Sequence, residues 1–264
     1  MSLLDDEKYR RLGESLRAAY AAAEPFPHTV IDDFLPTEIC DGVLAEFPTA
    51  EQIDWMRFER HHSKKLATKG DGQFGPATRD LMHELSSAAC LRFLEGLTGI
   101  TGLLPDPYYE GGGLHQIEPG GYLKMHIDFN YHKRLRLDRR INLIVYLNRD
   151  WREEYNGHLE LWDRTMTRCV RKVLPVFNRC VVFSTTDTSY HGHPEKLTCP
   201  PGRTRKSLAL YYYSNGRPEE EGQKSDAHET LWQERPGTLG SKVNVFGGLG
   251  RLLRRVSGKR TPSA

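Results

Sequence analysis

The sequence has no long apolar run, and no segment approaches the roughly 20 consecutive apolar residues of a membrane-spanning helix. The first residues, Met1 to Lys8, are charged and lack an apolar stretch, so they do not predict a signal peptide. Five cysteines are scattered along 264 residues without a C-x-x-C pair. This argues against a disulfide framework and a cysteine-rich zinc site. We therefore expect a soluble, cytoplasmic protein with reduced thiols.

The sequence also lacks an excess of charge of either sign. Its 37 lysines and arginines oppose 35 acidic residues, which leaves a formal net charge of +2. Nothing in this balance predicts nucleic acid or an anionic surface as a partner. No Walker loop, Ser-His-Asp arrangement or nucleophilic cysteine setting is present. A chain of this length can bury a core without metal or disulfide staples, so a metal site would be functional rather than structural.

The pattern of apolar residues changes near residue 108. Before it, helical periodicity predicts helices over 5–23, from Pro36 onward and over 76–97, with a short strand over 29–35. The basic, glycine-containing stretch 58–75 is predicted to be a surface loop. After residue 108, short β segments follow one another without helices between them. These strands are predicted near 113–118, 121–128, 140–147, 157–162, 169–174, 179–184 and 205–213.

Helices first and strands afterwards indicate an α+β fold whose N-terminal helices pack on one sheet face. We predict three regions, an N-terminal helical part over 1–107, a β core over 108–216 and a polar, basic tail over 217–264. Apolar and arginine residues alternate over 245–256. They suggest a basic amphipathic helix, although a partly ordered terminal segment is favoured. Because the last motif closes at Tyr213, the tail is predicted to be dispensable for ligand binding.

The segment around His126 and Asp128 carries the strongest chemical signal. Side chains alternate along a strand, so these two residues share one face while Met125 and Ile127 point the other way. A histidine and a carboxylate at this spacing can bind one metal ion from adjacent positions. A histidine from another strand would complete the 2-His-1-carboxylate triad of non-haem iron(II) oxygenases. Both His191 and His193 follow the apolar strand 179–184, and either could be that ligand.

A basic residue before the last strand would complete such a site. Iron centres of this type commonly use 2-oxoglutarate, whose distal carboxylate requires a fixed cation, and arginine can contact it with two parallel bonds. The sequence offers Arg203, Arg205 and Lys206. If Arg205 faces inward, the small Ser207 and Ala209 follow on its face and leave room for a co-substrate. Bulky leucines follow Lys206 instead, so Arg205 is favoured.

In this order the motifs resemble the prolyl 4-hydroxylase-like iron(II)/2-oxoglutarate dioxygenases over roughly residues 25–214. The matching segments are 25–35, 122–128, 139–148, 155–161, 183–192 and 205–212. The resemblance implies a double-stranded β-helix, or jelly roll, in which His126, Asp128 and His191 are the catalytic iron ligands. It also implies that Arg205 and Tyr146 hold 2-oxoglutarate and that Asn142 lines the pocket.

The implied reaction hydroxylates a C–H bond and decarboxylates 2-oxoglutarate to succinate, with O2 as the other co-substrate and ascorbate as an auxiliary reductant. The resemblance favours a prolyl residue in a peptide or protein, but a small molecule or a glycan-linked group is an equal alternative. Two rival functions are a catalytically silent jelly roll that binds a partner and a zinc hydrolase that uses the same triad. The basic residues Lys64, Lys65 and Lys69 could contact an anionic substrate, but a solvated loop is favoured. The pair His61 and His62 is expected to be exposed to solvent rather than to bind a metal.

Overall fold

The structure is a computed structural model that describes residues 3–218 and 226–236. Four α-helices lie in its N-terminal part: α1 (Asp6–Ala21), α2 (Thr37–Ala45), α3 (Pro76–Leu85) and α4 (Ala88–Thr98). The strands are β1 (His28–Ile31), β2 (Met56–Arg60), β3 (Ser63–Ala67), β4 (Leu104–Pro105), β5 (Gly113–Ile117), β6 (Tyr122–Ile127), β7 (Tyr131–His132), β8 (Leu137–Tyr146), β9 (Leu159–Trp162), β10 (Cys169–Val173), β11 (Cys180–Ser184), β12 (His191–His193), β13 (Arg205–Ser214) and β14 (Leu231–Trp232).

The strands form a single sheet that curls into a nearly closed barrel. Its main path runs β1-β11-β8-β13-β5-β3-β6-β12-β9-β10, with β2, β4, β7 and β14 added at its sides. Every strand pairing recorded in the described residues is antiparallel. The predicted double-stranded β-helix is therefore confirmed.

The helices cover the outer face of one wall of this barrel. Alternate residues of β13, Leu208, Leu210 and Tyr212, are buried in the same apolar cluster as Phe93 and Leu94 of α4. The residues between them point into the barrel, as the two-residue period of a strand requires. This confirms the predicted α+β class with N-terminal helices on one sheet face.

The single helix predicted over 76–97 is wrong, because the chain forms α3 and α4 with a break at Ser86 and Ser87. The hydroxyl of Ser87 accepts a hydrogen bond from the backbone N–H of Cys90 and caps α4. Serine side chains compete for backbone groups in this way and favour helix starts over helix interiors. The apolar residues keep a helical spacing across this break, so the periodicity of the sequence did not reveal it.

The surface loop predicted over 58–75 is also wrong in its first half. Strands β2 and β3 form a hairpin there, and β3 is inserted in the barrel wall between β5 and β6. Within β3, Ser63, Lys65 and Ala67 line the barrel's opening, while Leu66 packs into the core. The lysines obscured this alternation, because a basic stretch with glycines is typical of an exposed loop.

Part of the region predicted to be a tail belongs to the sheet. Strand β14 pairs with β6, so that Leu231 lies opposite Ile127 and Trp232 opposite His126. The predicted separation of the tail from the β core is therefore wrong for residues 226–236. The boundaries at 107/108 and 216/217 stay predictions, and the apolar and basic residues of 245–256 lie outside the described residues.

None of the helices in the described part of the chain combines the length and the apolar character that crossing a bilayer demands. The five cysteines are free thiols, four of them buried.

Candidate metal centre

Two neighbouring strands bring the three sequence-predicted ligands together. His126 lies near the end of β6, Asp128 follows that strand, and His191 begins β12, directly opposite His126 in the strand pairing. The Nε2 atom of His126 is 3.6 Å from one Asp128 oxygen, and the Nε2 atom of His191 is 3.4 Å from the other. These atoms lie within 4.8 Å of one another, close enough to share one metal ion.

Both imidazole rings are held so that the same nitrogen faces the centre. The Nδ1 atom of His126 lies 2.9 Å from the carbonyl of Lys124, and that of His191 lies 2.9 Å from the carbonyl of Ser189. A carbonyl oxygen can only accept, so each Nδ1 carries the hydrogen and each Nε2 keeps its lone pair. This is the tautomer that metal-binding histidines use. Burial also lowers the pKa of His191 to about 4, which keeps that ring neutral.

Asp128 is fixed by two donors from β8. The guanidinium of Arg139 donates to its Oδ2 at 3.0 Å, and the amide of Asn142 donates to the same atom at 2.7 Å. Burial by itself would raise the pKa of Asp128. The positive charge of Arg139 and the two nearby histidines more than offset this and hold the pKa well below its usual range. The carboxylate is therefore ionised and oriented, as a metal ligand must be.

A β-bulge puts both donors on one side of β8. Asn142 pairs with Tyr211 and Ile141 with Tyr212, but Tyr213 pairs with Arg139, so Arg140 is an extra residue. Without the bulge, positions 139 and 142 would point to opposite faces. Arg139 is fully buried, and its guanidinium carbon lies 3.5 Å from the ring centre of Tyr211. Strand parity alone therefore missed Arg139.

A second group of possible ligands, His61, His62 and Glu234, lies at the mouth of the barrel. The ammonium of Lys124 contacts two of its three members, at 3.2 Å from a ring nitrogen of His61 and 2.9 Å from Glu234. A cation already placed there opposes binding of a metal ion. Of these two groups in the described part of the chain, the buried one is the candidate metal centre.

Next to the triad, an inner chamber of about 80 Å³ extends into the barrel. Arg205 lies at this chamber's wall and is 5% exposed. Its Nη2 donates to the hydroxyl of Tyr146 at 3.3 Å, and its Nε donates to the carbonyl of Gly157 at 2.8 Å. Gly157 has a φ of +79°, and a Cβ there would be 3.0 Å from the Arg205 side chain, so glycine is required.

Strand parity places Arg205 and Lys206 as predicted. Arg205, Ser207 and Ala209 line the inner chamber. Lys206 instead donates to the hydroxyl of Thr204 at 2.6 Å and lies near the ring of Phe47. Burial lowers the pKa of Arg205, and the Tyr146 hydroxyl only partly opposes this effect. No carboxylate of the described residues forms an ion pair with the guanidinium. A buried cation without an anion is costly, and a dicarboxylate in this chamber would remove that cost.

His193 is buried and also lines the inner chamber, but it is not one of the convergent ligand atoms. It pairs across the sheet with Leu123, away from the position of His126. Burial holds its pKa well below the usual value, with the charge of Arg205 acting in the same direction. Its Nδ1 has no hydrogen-bond partner among the described residues.

An outer cleft of about 370 Å³ opens from the triad toward the surface. Trp232 lies over the centre, with its ring 5.1 Å from the ring of His126 and stacked on His62 at 4.7 Å. Lys65 lines both the outer cleft and the inner chamber. Aromatic residues form much of the remaining wall, namely Phe58, Tyr108, Tyr109, Phe129 and Tyr211.

The sequence alone did not place Arg139 or Trp232 in the site, and for Lys65 it favoured a solvated loop over contact with an anionic substrate. For Lys65 a usable signal existed, since it stands between the small residues Ser63 and Ala67 at a two-residue spacing. Trp232 lies more than 100 residues from its partner His126, and no local pattern connects the two.

Comparison with known proteins agrees with this geometry. Residues 112–213 match the family model of the 2OG-Fe(II) oxygenase superfamily. The barrel is a 2OG-Fe(II) oxygenase domain. The predicted enzyme class, an iron(II)/2-oxoglutarate-dependent dioxygenase, is thereby confirmed, as are its co-substrates 2-oxoglutarate and O2.

Solved structures share the fold at low sequence identity. A prolyl 4-hydroxylase from Pseudomonas putida is 18% identical, with a TM-score of 0.54 over 77% of this chain and 99% of that one. A Trichoplax adhaerens prolyl hydroxylase in complex with a hypoxia-inducible-factor peptide fragment is 19% identical, with a TM-score of 0.52 over 79% and 91%. The 2-oxoglutarate-dependent epimerase SnoN of nogalamycin biosynthesis is 14% identical, with a TM-score of 0.53 over 85% and 95%. No curated protein sequence matches this chain significantly.

Proposed function

We propose that His126, Asp128 and His191 hold the iron(II) of this oxygenase and that it hydroxylates a C–H bond of a substrate bound in the outer cleft. The observation that carries this assignment is the convergence of the two free Nε2 atoms and the Asp128 carboxylate within 4.8 Å. Three such ligands would hold iron(II) while leaving room at the metal for co-substrate and oxygen. Iron(II) with 2-oxoglutarate and O2 would supply the oxidising power for hydroxylation, with 2-oxoglutarate converted to succinate and carbon dioxide.

Arg205 and Tyr146 are proposed to bind the distal carboxylate of 2-oxoglutarate. Support comes from the burial of Arg205, its contact with the Tyr146 hydroxyl and the small residues Ser207 and Ala209 beside it. A guanidinium with a neighbouring hydroxyl provides directed donors to a carboxylate. Their part is to fix the co-substrate relative to the triad, because orientation is the contribution that a protein adds to cofactor chemistry.

Arg139 and Asn142 are proposed to act through Asp128 rather than on the substrate. Both donate to its Oδ2, which leaves Oδ1 directed toward His126. Donors that hold a ligating carboxylate in this way typically change metal affinity by about 10–100-fold. They also lower the cost of burying the negative charge of Asp128.

A prolyl residue in a peptide or protein is the first candidate substrate. Two of the structural relatives are prolyl hydroxylases, and the aromatic wall of the outer cleft suits an apolar ring. The relation to SnoN, an epimerase, favours keeping small molecules as the second candidate, because the same fold serves a different reaction there. We also retain a cytoplasmic location as a proposal, which the five free thiols support.

The test is anaerobic addition of iron(II) and then 2-oxoglutarate to the purified protein. A weak visible charge-transfer band, with succinate release after O2 is admitted, is the expected result. The Asp128→Ala variant should give neither, whereas Lys206→Ala should retain both, since its side chain lies outside the chamber. Binding of zinc(II) with no band and no succinate would instead favour the hydrolase that uses the same triad.

A further inference from the structure

Lys65 stands where the two cavities meet. It lines the inner chamber together with Arg205 and the outer cleft together with Trp232. Its neighbours on the same face of β3, Ser63 and Ala67, are small and buried, so space remains around the ammonium. Across the hairpin it pairs with Phe58, and its Nζ lies 5.2 Å from that ring's centre. The strand therefore holds the lysine stem while the charge faces the cavities.

No carboxylate of the described residues forms an ion pair with Lys65. The charged groups that act on it are Asp128, Arg139 and Arg205. Burial lowers the pKa of Lys65 to about 8, Asp128 raises it, and the two arginines lower it further. The ammonium is nevertheless mostly charged at neutral pH. Asp128 is already engaged by Arg139 and Asn142, so it does not compensate Lys65.

The bound co-substrate does not compensate Lys65 either. When the site is filled as proposed, its positive charges are those of iron(II) and of Lys65, Arg139 and Arg205. The negative charges are Asp128 and the two carboxylates of 2-oxoglutarate, one at the metal and one at Arg205. Positive charge is in excess among these buried groups, and Lys65 is the one of them without a partner that lines the outer cleft, which Lys69, Arg134 and Glu110 also line. A half-buried cation of this kind favours binding of an anion.

We propose that the primary substrate carries an oxyanion that pairs with Lys65 at the inner end of the outer cleft. This inference rests on the proposed function, because it assigns the inner chamber to 2-oxoglutarate. The aromatic walls of the cleft provide contacts for a ring or other apolar body, so the substrate combines an apolar body with a carboxylate or phosphate. A charge-assisted bond to Lys65 then orients that body toward the metal.

The experiment compares binding of benzoate and benzamide, two rings of the same shape that differ in charge. Isothermal titration calorimetry is performed at pH 7 on the anaerobic protein loaded with iron(II) and 2-oxoglutarate. Phenyl phosphate is titrated in parallel, to show whether the site prefers a phosphate or a carboxylate. The parent is expected to bind one of the anions about tenfold more tightly than benzamide, as a charged hydrogen bond provides. In Lys65→Met that preference should disappear, and in Lys65→Arg it should remain.

Lys64→Met is the matched control, because Lys64 is exposed on the opposite face of the same strand. It should keep the preference for the anion. Equal binding of charged and neutral rings by the parent, or no binding of either anion, would overturn the proposal. A weaker 2-oxoglutarate affinity in Lys65→Met would overturn it as well and assign Lys65 to the co-substrate site. Absence of the charge-transfer band in the parent would refute the proposed function itself, which is a separate outcome.

Discussion

At the scale of single residues, Arg205 and Lys206 are a natural pair for comparison, because they are adjacent cations on opposite faces of β13. Arg205→Ala is expected to weaken 2-oxoglutarate binding roughly a hundredfold, since a buried carboxylate loses its partner. Lys206→Ala should change the dissociation constant little, because Lys206 contacts Thr204 and lies near Phe47. Anaerobic titration of 2-oxoglutarate into each iron-loaded variant measures this. A large loss in Lys206→Ala with near-normal Arg205→Ala would move the pocket to the other face.

How much of the site is predictable from sequence depends on whether strand parity is regular. Parity correctly put Arg205, Ser207 and Ala209 on one face, and the chamber is lined by all three. It failed for Arg139, because the bulge at Arg140 shifts the alternation by one residue. A bulge leaves no clear mark in the sequence, since any residue can occupy the extra position.

At the scale of elements, the contact between α1 and α4 depends on a glycine. A Cβ at Gly13 would lie 2.4 Å from the carbonyl oxygen of Phe93, whereas a Cβ at Gly42 in α2 would meet only the Cβ of Ala77 at 3.6 Å. Gly13→Ala should lower the free energy of unfolding by about 1–3 kcal/mol through overpacking. Gly42→Ala should leave it unchanged or raise it by up to about 1 kcal/mol, because alanine favours helix.

Urea unfolding of both alanine variants, followed by circular dichroism, checks this contrast. If Gly13→Ala were as stable as the parent, α1 and α4 would not approach each other as closely as the structure describes.

Strand β14 provides a second test at this scale. Trp232 is stacked on His62, and its ring centre lies 5.1 Å from that of His126, so a quenching metal ion bound to the triad would lie close to it. Trp232→Phe is expected to remove most of the tryptophan quenching seen when iron(II) or cobalt(II) is added. The measurement is tryptophan emission during an anaerobic metal titration, with Trp55→Phe as control. Unchanged quenching in Trp232→Phe would mean that β14 does not cover the centre.

The elements that sequence reasoning missed are those defined by distant pairing. Helices α1 and α2 and most strands were predicted within a few residues, because local periodicity specifies them. Strand β3 was hidden by its lysines, and β14 has only two residues whose partner is β6, far away in the chain. Short strands of this kind are stabilised by the sheet they join rather than by their own propensity.

At the level of the whole molecule, the helices stabilise one wall of the barrel and the strands position the residues of the site. The helices bury the outer face of the wall that contains β8 and β13, which fixes Asn142, Tyr146 and Arg205 on the inner face. The remaining strands bring His126 and His191 side by side, and the β2–β3 hairpin adds Lys65 at the opening. Rigid strands position ligands more accurately than loops do. This accuracy suits the proposed site, in which three ligands and a co-substrate must be oriented toward the same metal ion.

Metal binding by the triad of His126, Asp128 and His191 is tested by comparing His191→Ala with His193→Ala. Both histidines are buried in β12 two residues apart, but only His191 has a nitrogen within 4.8 Å of the other two ligands. Equilibrium iron(II) binding is measured anaerobically on folded samples of each variant. His191→Ala is predicted to lose iron binding and His193→Ala to retain it. Loss of iron binding in His193→Ala with retention in His191→Ala would contradict the assignment of His191 as a ligand.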